Sequence, residues 1–546
     1  MSKKLNKEIV FNAVCENLSY DGKGCIKYDH HVGFFSNLLQ GEEGEFVMTH
    51  YNSNRFYGYM RKMTKISPER VEPVCPYFSS CGGCSLQHMN NAAQLKFKKT
   101  QVEECLRRIG GFKDVVVDDT VGMENPFHYR NKVQVPVRKG KNGKILTGFF
   151  KENSHDIVEI DSCCIENEDA EKIVKTIKTL MEEMNIEPYD EETDRGIIRH
   201  ILVRTSFHFP EAMVVLVCRE NSIPNEKEFI RNLVEREPEI VTVIKNVNPR
   251  QTNVILGEKG RVLYGKGYIQ DELCGVRFHI SAKSFYQVNP IQTERLYRTA
   301  IEYAELTGSE KVLDAYCGIG TIGMIASPYA ESVVGVEIVS EAVEDAEKNA
   351  ARNRIGNISF ACQDAGEFLL ERARMGKRFD VVIMDPPRKG SDEAFLSSLI
   401  QTKPRKIVYI SCNPSTLARD LKYLSSGYEI KKVTPFDMFA QTYHVETVVL
   451  LSKKVPDDYL EVSVELDDDF LTKAEAKGTY DQIKQYIYEK YKIKVSSLYI
   501  AQVKDSCGIK ERENYNHSKR SDGKQPQVPE NKRKLILEAL EFYKMI

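Results

Sequence analysis

Lys311-Val312-Leu313-Asp314-Ala315-Tyr316-Cys317-Gly318-Ile319-Gly320-Thr321-Ile322-Gly323 decides the fold of this 546-residue chain. A short apolar run ends near an acidic residue and gives way to glycines spaced G-x-G-x-x-G. The run reads as a buried strand, and the glycines as a tight turn into a helix whose first amides face a nucleotide-type ligand. The rhythm continues through Ser332-Val333-Val334-Gly335-Val336-Glu337, Asp380-Val381-Val382-Ile383-Met384-Asp385 and Lys406-Ile407-Val408-Tyr409-Ile410, with helical segments between. This alternation predicts a doubly wound, mostly parallel α/β sheet of Rossmann type over about 281–454.

Ligands of such sheets bind beyond the carboxyl ends of the strands. Asp314 closes the first strand, where it is suited to the amino-acid end of S-adenosylmethionine rather than to a pyrophosphate. Asp385-Pro386-Pro387-Arg388 closes a later strand, and Glu337 closes the second, suited to ribose hydroxyls. Glu337 and the glycine motif, which includes Gly318, fit a nicotinamide enzyme equally; Asp314 and Asp385-Pro386-Pro387 favour S-adenosylmethionine. Cys412 follows the run ending at Ile410 and stands at the mouth of the sheet, with Glu446 in His444-Val445-Glu446-Thr447 downstream. A sulfur, a nucleotide-type cofactor and a carboxylate point to covalent chemistry on a base, with a turn and helix start at Ser415 or Thr416 expected to lower the thiol pKa.

Cys75-Pro76-Tyr77-Phe78-Ser79-Ser80-Cys81-Gly82-Gly83-Cys84 is C-x5-C-x2-C. Three thiolates with two glycines suit an iron–sulfur cluster, with structural zinc and an unmetallated loop as alternatives. A fourth ligand must come from afar, and Cys163 and Cys164 are both candidates after Asp156-Ile157-Val158-Glu159-Ile160. Most of the other ten of the 14 cysteines read as small buried hydrophobes.

Upstream, residues 8–64 alternate short apolar runs with glycine turns, which predicts a small OB-like β-barrel over 1–65. Lys23, Lys27, Arg55, Arg61 and Lys62 with Tyr28, Tyr51 and Tyr57 suit an RNA-binding face or a solvated surface. Residues 66–280 read as a central α+β domain, with helices expected at 92–110, 168–186 and 225–236. Residues 455–546 form a small α-rich extension. There a helix over 472–490 places Tyr480, Ile483 and Ile487 on one face, and Ser496 caps a second, an arrangement like a helix-turn-helix. Lys510, Arg512, Lys519, Arg520, Lys524, Lys532, Arg533 and Lys534 suit an RNA-contacting extension or a solvated loop.

Hydrophobic residues at 41% and charged residues at 29% are those of a soluble globular protein of several domains. No apolar run approaches the roughly 18 residues of a membrane span. The N-terminus lacks signal-peptide features, so a cytoplasmic location and no membrane partner are expected. With a net charge of −2, any RNA must be held by local basic patches.

Together these motifs resemble the S-adenosylmethionine-dependent RNA uracil-5-methyltransferases, in particular the iron–sulfur branch acting on 23S ribosomal RNA, over about residues 8–452. The barrel is similar to a TRAM domain. The resemblance implies Cys75, Cys81, Cys84 and Cys163 as ligands of a 4Fe–4S cluster; Cys164 stands where the family commonly has proline. Ser284-Phe285-Tyr286-Gln287-Val288-Asn289 matches the family's S-F-x-Q-V-N and implies Gln287 as a cofactor ligand, joined by Tyr316, Glu337 and Asp385. It further implies Cys412 as nucleophile, Glu446 as base and an RNA substrate; a monomer is expected. A transfer-RNA methyltransferase and a non-catalytic RNA-binding factor are the competing readings.

Overall fold

The computed structural model describes residues 3–140, 143–152, 154–191, 193–251, 254–454, 480–507, 528–543 and 545–546. The chain divides into two compact units, 1–455 and 456–546.

Seven strands build the C-terminal sheet of the first unit. In chain order they are β1 Lys311–Ala315, β2 Ser332–Glu337, β3 Ile358–Cys362, β4 Val381–Met384, β5 Lys406–Ser411, β6 Tyr428–Phe436 and β7 Glu446–Lys453. Their spatial order is β3-β2-β1-β4-β5-β7-β6. The first five pair in parallel, and β7 runs antiparallel between β5 and β6. The chain winds outward from β1 through β2 to β3, then returns to the other side of β1 as β4. That reversal opens a crevice at the carboxyl ends of β1 and β4. Alternate residues face opposite layers: Val312, Val381, Ile383 and Val408 on one side, Leu313, Val382 and Tyr409 on the other.

Within 66–280, a second seven-stranded sheet orders its strands Lys259–Gly265, Ile240–Val247, Ala212–Cys218, Ile198–Thr205, Lys132–Lys139, Ile145–Phe150 and Ile157–Glu159. Helices Glu168–Glu183 and Glu226–Arg236 cover one face through Ile173, Ile177, Phe229 and Leu233. From the other face, Leu202, Met213 and Val215 join one apolar core with Phe278, Leu296 and Val312. The central sheet and the C-terminal sheet therefore share a continuous interior. The helix expected at 92–110 is an α-helix over Asn91–Cys105 followed by a π turn over Leu106–Gly110, and it stops at Gly111 with φ +80°.

The N-terminal segment forms two three-stranded sheets instead of one closed barrel among the described residues. Lys3–Val14, Glu43–Tyr51 and Phe56–Lys65 make one, and Asn17–Leu18, Gly24–Tyr28 and His31–Phe35 the other. A bridge at Val32–Arg55 and a shared core of Phe11, Ile26, Phe35, Phe46 and Phe56 join them. Much of the expected cationic face is neutralised locally: Lys23 pairs with Glu152, Lys27 with Glu16 and Arg61 with Glu45.

In the second unit, helices Tyr480–Tyr491, Ser497–Ser506 and Glu530–Phe542 bury Ile483, Ile487, Ile500, Val503, Ile536 and Leu540 together. Ser496 caps the middle helix by accepting from the Tyr499 amide. Lys532, Arg533 and Lys534 lie on a helix, which the polar composition around them had masked. Residues 472–479 of the expected first helix, and Lys510, Arg512, Lys519, Arg520 and Lys524, lie outside the described residues.

Candidate active site and cysteine cavity

The glycine loop after β1 is built around Asp314. Its carboxylate is buried, with Oδ2 accepting the Gly323 amide at 2.7 Å and Oδ1 unpartnered. Burial pushes this acid up to about 7. A Cβ on Gly323 would meet Asp314 Oδ2 at 2.8 Å, so only glycine lets the helix start approach so closely. At the end of β2, Glu337 accepts amides from Ile338 and Val339 through Oε1 and from Gly318 through Oε2 at 3.1 Å. Tyr316 has φ +64° and shares a 2.9 Å hydrogen bond with Ser391.

Gln287 lies in the loop entering helix Pro290–Ala304, and that loop is clamped from both sides. Asn131 donates its amide to the Val288 carbonyl and its Nδ2 to that of Gln287, Arg204 donates to the Ser284 carbonyl at 2.7 Å, and Asn289 donates to Met438.

At the next strand ends, the register brings three reactive groups together. Ser411 on β5 pairs with Thr447 on β7, so Cys412 and Glu446 emerge on adjacent strands at one edge. Met384 on β4 pairs with Tyr409 on β5, which brings Asp385 to the same edge. Burial, then the neighbouring Asp385, push Glu446 up to about 8; burial pushes Asp385 up to about 7. The expected lowering of the Cys412 thiol is corrected: burial, then the Glu446 and Asp385 carboxylates, push it up to about 11, against the cation of Arg388. The following helix, Pro414–Leu424, is capped by the Asn413 side chain, which accepts the Ser415 amide. Asp420 of that helix accepts from Tyr409 at 2.7 Å and from the Ser391 amide at 2.8 Å, fixing the loop after Asp385.

Two further residues, Arg388 and His444, stand at this mouth. Arg388 Nη2 lies 3.3 Å from His444 Nδ1. Burial, with Arg388 nearby, lowers His444 to about 4, so the ring is neutral at physiological pH. Their signal in the chain was only proximity: Arg388 to Asp385-Pro386-Pro387, His444 to Glu446.

The cysteines gather elsewhere in the same unit. Cys75, Cys81, Cys84, Cys163 and Cys164 line one cavity of about 210 Å³ with Gln87, Arg130 and Glu166. Gln87 links Cys75 and Cys164, accepting the Cys75 amide at 3.1 Å and donating to Cys164 Sγ at 3.3 Å. Cys163 Sγ lies in a cluster with carboxylate oxygens of Glu166 and Glu171. Burial, then the neighbouring sulfurs, raises the thiols, Cys84 to about 12 and Cys164 to about 11. The cysteine loop also grips the segment before Glu446: the Ser85 and Leu86 amides both donate to the Gln441 carbonyl at 3.0 Å.

A family model for tRNA (uracil-5-)-methyltransferases matches residues 90–454. An uncharacterized RNA methyltransferase of Halalkalibacterium halodurans is 45% identical over 458 residues, covering 83% of this chain and 100% of its own. One from Listeria innocua is 46% identical over 451 residues, 82% of this chain and 99% of its own. The solved tRNA (uracil-54, C5)-methyltransferase of Pyrococcus abyssi, in complex with S-adenosyl-L-homocysteine, superposes with a TM-score of 0.66 at 29% identity, covering 81% of this chain and 100% of that one.

Proposed function

The chain belongs to the tRNA (uracil-5-)-methyltransferase family, whose members are S-adenosylmethionine-dependent RNA methyltransferases, and we propose that it methylates C5 of a uridine in 23S ribosomal RNA through covalent addition of Cys412. The observation that carries this reading is the Ser411–Thr447 pairing, which sets a thiol beside a carboxyl group at the cofactor edge of the sheet.

The residues present fit the cofactor: Asp314 Oδ1 has no partner, Gly318 faces open space, and the Glu337 carboxylate is held by three amides. S-adenosylmethionine, when bound, supplies the methyl group as an electrophilic sulfonium. Gln287, Tyr316, Glu337, Asp385, Asp314 and Gly318 would hold it.

Uracil C5 is a weak nucleophile. Cys412 Sγ bonds to C6, which moves the electron pair of the C5–C6 bond into an enolate over C5, C4 and O4 and activates C5. Arg388 is the cation that favours the thiolate. Once methylated, C5 is tetrahedral and keeps one proton. Glu446 removes it, the C5–C6 double bond re-forms, and the C6–S electron pair returns to Cys412. The target uridine must be unpaired or flipped out to reach the site. Replacing Glu446 with Gln is expected to trap a denaturant-stable protein–RNA adduct, while Cys412→Ala removes both adduct and product. Methylation of RNA by Cys412→Ala would refute the mechanism.

Five thiols around one cavity fit an iron–sulfur cluster held by Cys75, Cys81, Cys84 and Cys163. Such a cluster would crosslink the cysteine loop to the segment after Glu159. Visible absorbance of anaerobically purified protein separates it from zinc. The N-terminal sheets are read as a TRAM-like RNA-binding module, and the protein as a cytoplasmic monomer. A transfer-RNA substrate is the second reading, favoured by the substrate in the name of the matched family and of the Pyrococcus abyssi enzyme. Incubating the purified protein with total RNA from a deletion strain and mapping 5-methyluridine decides between the two.

A further inference from the structure

Tyr20 is 73% exposed, more than any other large aromatic among the described residues. It caps the turn Ser19–Lys23 of the N-terminal module, and that turn is rigidly seated. Gly22 has φ +79°, and a Cβ there would meet Leu86 at 2.6 Å, so the turn lies flush on the segment after the cysteine loop. Gln101 donates to the Tyr20 carbonyl at 2.7 Å, and Lys23 reaches Glu152 at 2.8 Å. The backbone that carries the exposed ring is therefore fixed.

From Tyr20 a chain of rings runs to the active-site mouth. Tyr20 stands perpendicular to Tyr443 at 6.0 Å, Tyr443 lies 4.2 Å from His444, and His444 meets Arg388. On its other side Tyr20 borders a cleft of about 580 Å³ between the N-terminal module and helix Asn91–Cys105. Asn17 and Gln40 line it with amides, Phe97 with an aromatic wall and Lys96 with a cation, while Arg108 is paired with Glu104 of the same wall. Its far end is Asn413-Pro414-Ser415, immediately after Cys412.

We propose that this cleft seats an unpaired RNA nucleotide flanking the target uridine, its base stacked on Tyr20; this rests on the RNA substrate proposed above. Aromatic faces stack any base, side-chain amides address base edges, and Lys96 meets a phosphate. The cleft is large enough for such a ligand, and its reach to Asn413, the residue after Cys412, makes a neighbour of the reacting base its occupant.

The test measures RNA affinity in a Cys412→Ala background, where turnover plays no part, using RNA of the mapped target sequence and versions made abasic at one flanking position at a time. Adding Tyr20→Ala is expected to weaken binding of intact RNA about tenfold, as loss of one stacked base does. Tyr20→Phe is expected to restore it. One abasic position should weaken the parent protein similarly and erase the difference between it and the Tyr20→Ala form. Equal affinities for intact RNA, or a Tyr20→Ala deficit that persists at every abasic position, would overturn the proposal. Failure of the wild-type protein to methylate uridine would instead remove the functional reading, and is a separate measurement.

Discussion

Cys412 and Glu446 stand side by side because Ser411 and Thr447 are paired across the antiparallel β5–β7 ladder. A change in strand direction after five parallel strands thus brings together residues 34 positions apart in the chain. The proximity sets their charges against each other: the carboxylate disfavours the thiolate, and burial disfavours the carboxylate.

That opposition gives a pH dependence. Glu446 is a base only when ionised, and it holds its proton up to about 8. Release of methylated RNA from the covalent adduct is expected to rise about tenfold per pH unit below that value and to level off above it. Single-turnover release followed from pH 6 to 9 checks this; a flat profile would assign proton removal to another group.

The same shift bears on stability. In the unfolded chain a glutamate ionises near 4.3, whereas folded Glu446 stays protonated to about 8. Its contribution is complete below the unfolded value and is lost as pH rises toward the folded one. Glu446→Gln is therefore expected to be more stable than wild type at pH 8, by on the order of 1–3 kcal/mol. The gain should shrink as pH falls, as read by denaturant unfolding at several pH values.

Lys98 and Asp437 form an ion pair in which both side chains are fully buried, and Lys98 also donates to the Phe439 carbonyl at 3.1 Å. Lys98→Met strands a buried carboxylate and is expected to cost about 3–5 kcal/mol. Lys98→Met combined with Asp437→Asn should recover much of that loss. Chemical denaturation of the two single variants and the double variant gives the coupling.

Gly323→Ala drives a methyl group to within 2.8 Å of Asp314 Oδ2 and 3.2 Å of Ile358. Overpacking of this kind costs about 1–3 kcal/mol. It is expected to weaken S-adenosylmethionine binding at least about tenfold, since the displaced loop is the one that would hold it. Calorimetric titration with S-adenosylhomocysteine reads the effect directly.

Serine substitutions in the cysteine cavity separate its members. Cys75→Ser, Cys81→Ser and Cys84→Ser are expected to abolish bound iron, and Cys163→Ser to do the same while Cys164→Ser retains it. Iron content and visible absorbance of anaerobic protein are the readouts. Retention by Cys163→Ser with loss in Cys164→Ser would transfer the fourth position to Cys164, which Gln87 already links to Cys75.

The strands β1, β2, β4 and β5 were legible because each is a compact apolar run closed by a polar residue. β3, Ile-Ser-Phe-Ala-Cys, is partly exposed along its length and carries no such contrast. The hairpin β6–β7 was missed as well; its strands differ, Tyr428–Phe436 mixing charges with apolar residues while β7 opens on Glu446. The cysteine spacing was visible in the chain, but not that Ser85 and Leu86 bond to the segment before Glu446.

Local pattern alone carried the glycine turn, the helix caps and the alternation of strand with helix, since each depends on a residue and its near neighbours. Folding in three dimensions decided the rest. A thiol's proton affinity is set by charges that reach it across space, so Cys412 is raised where its turn suggested lowering. Likewise, only the packing of the N-terminal turn against Leu86 and Tyr443 brings Tyr20 within reach of a site whose Cys412 lies almost four hundred residues away.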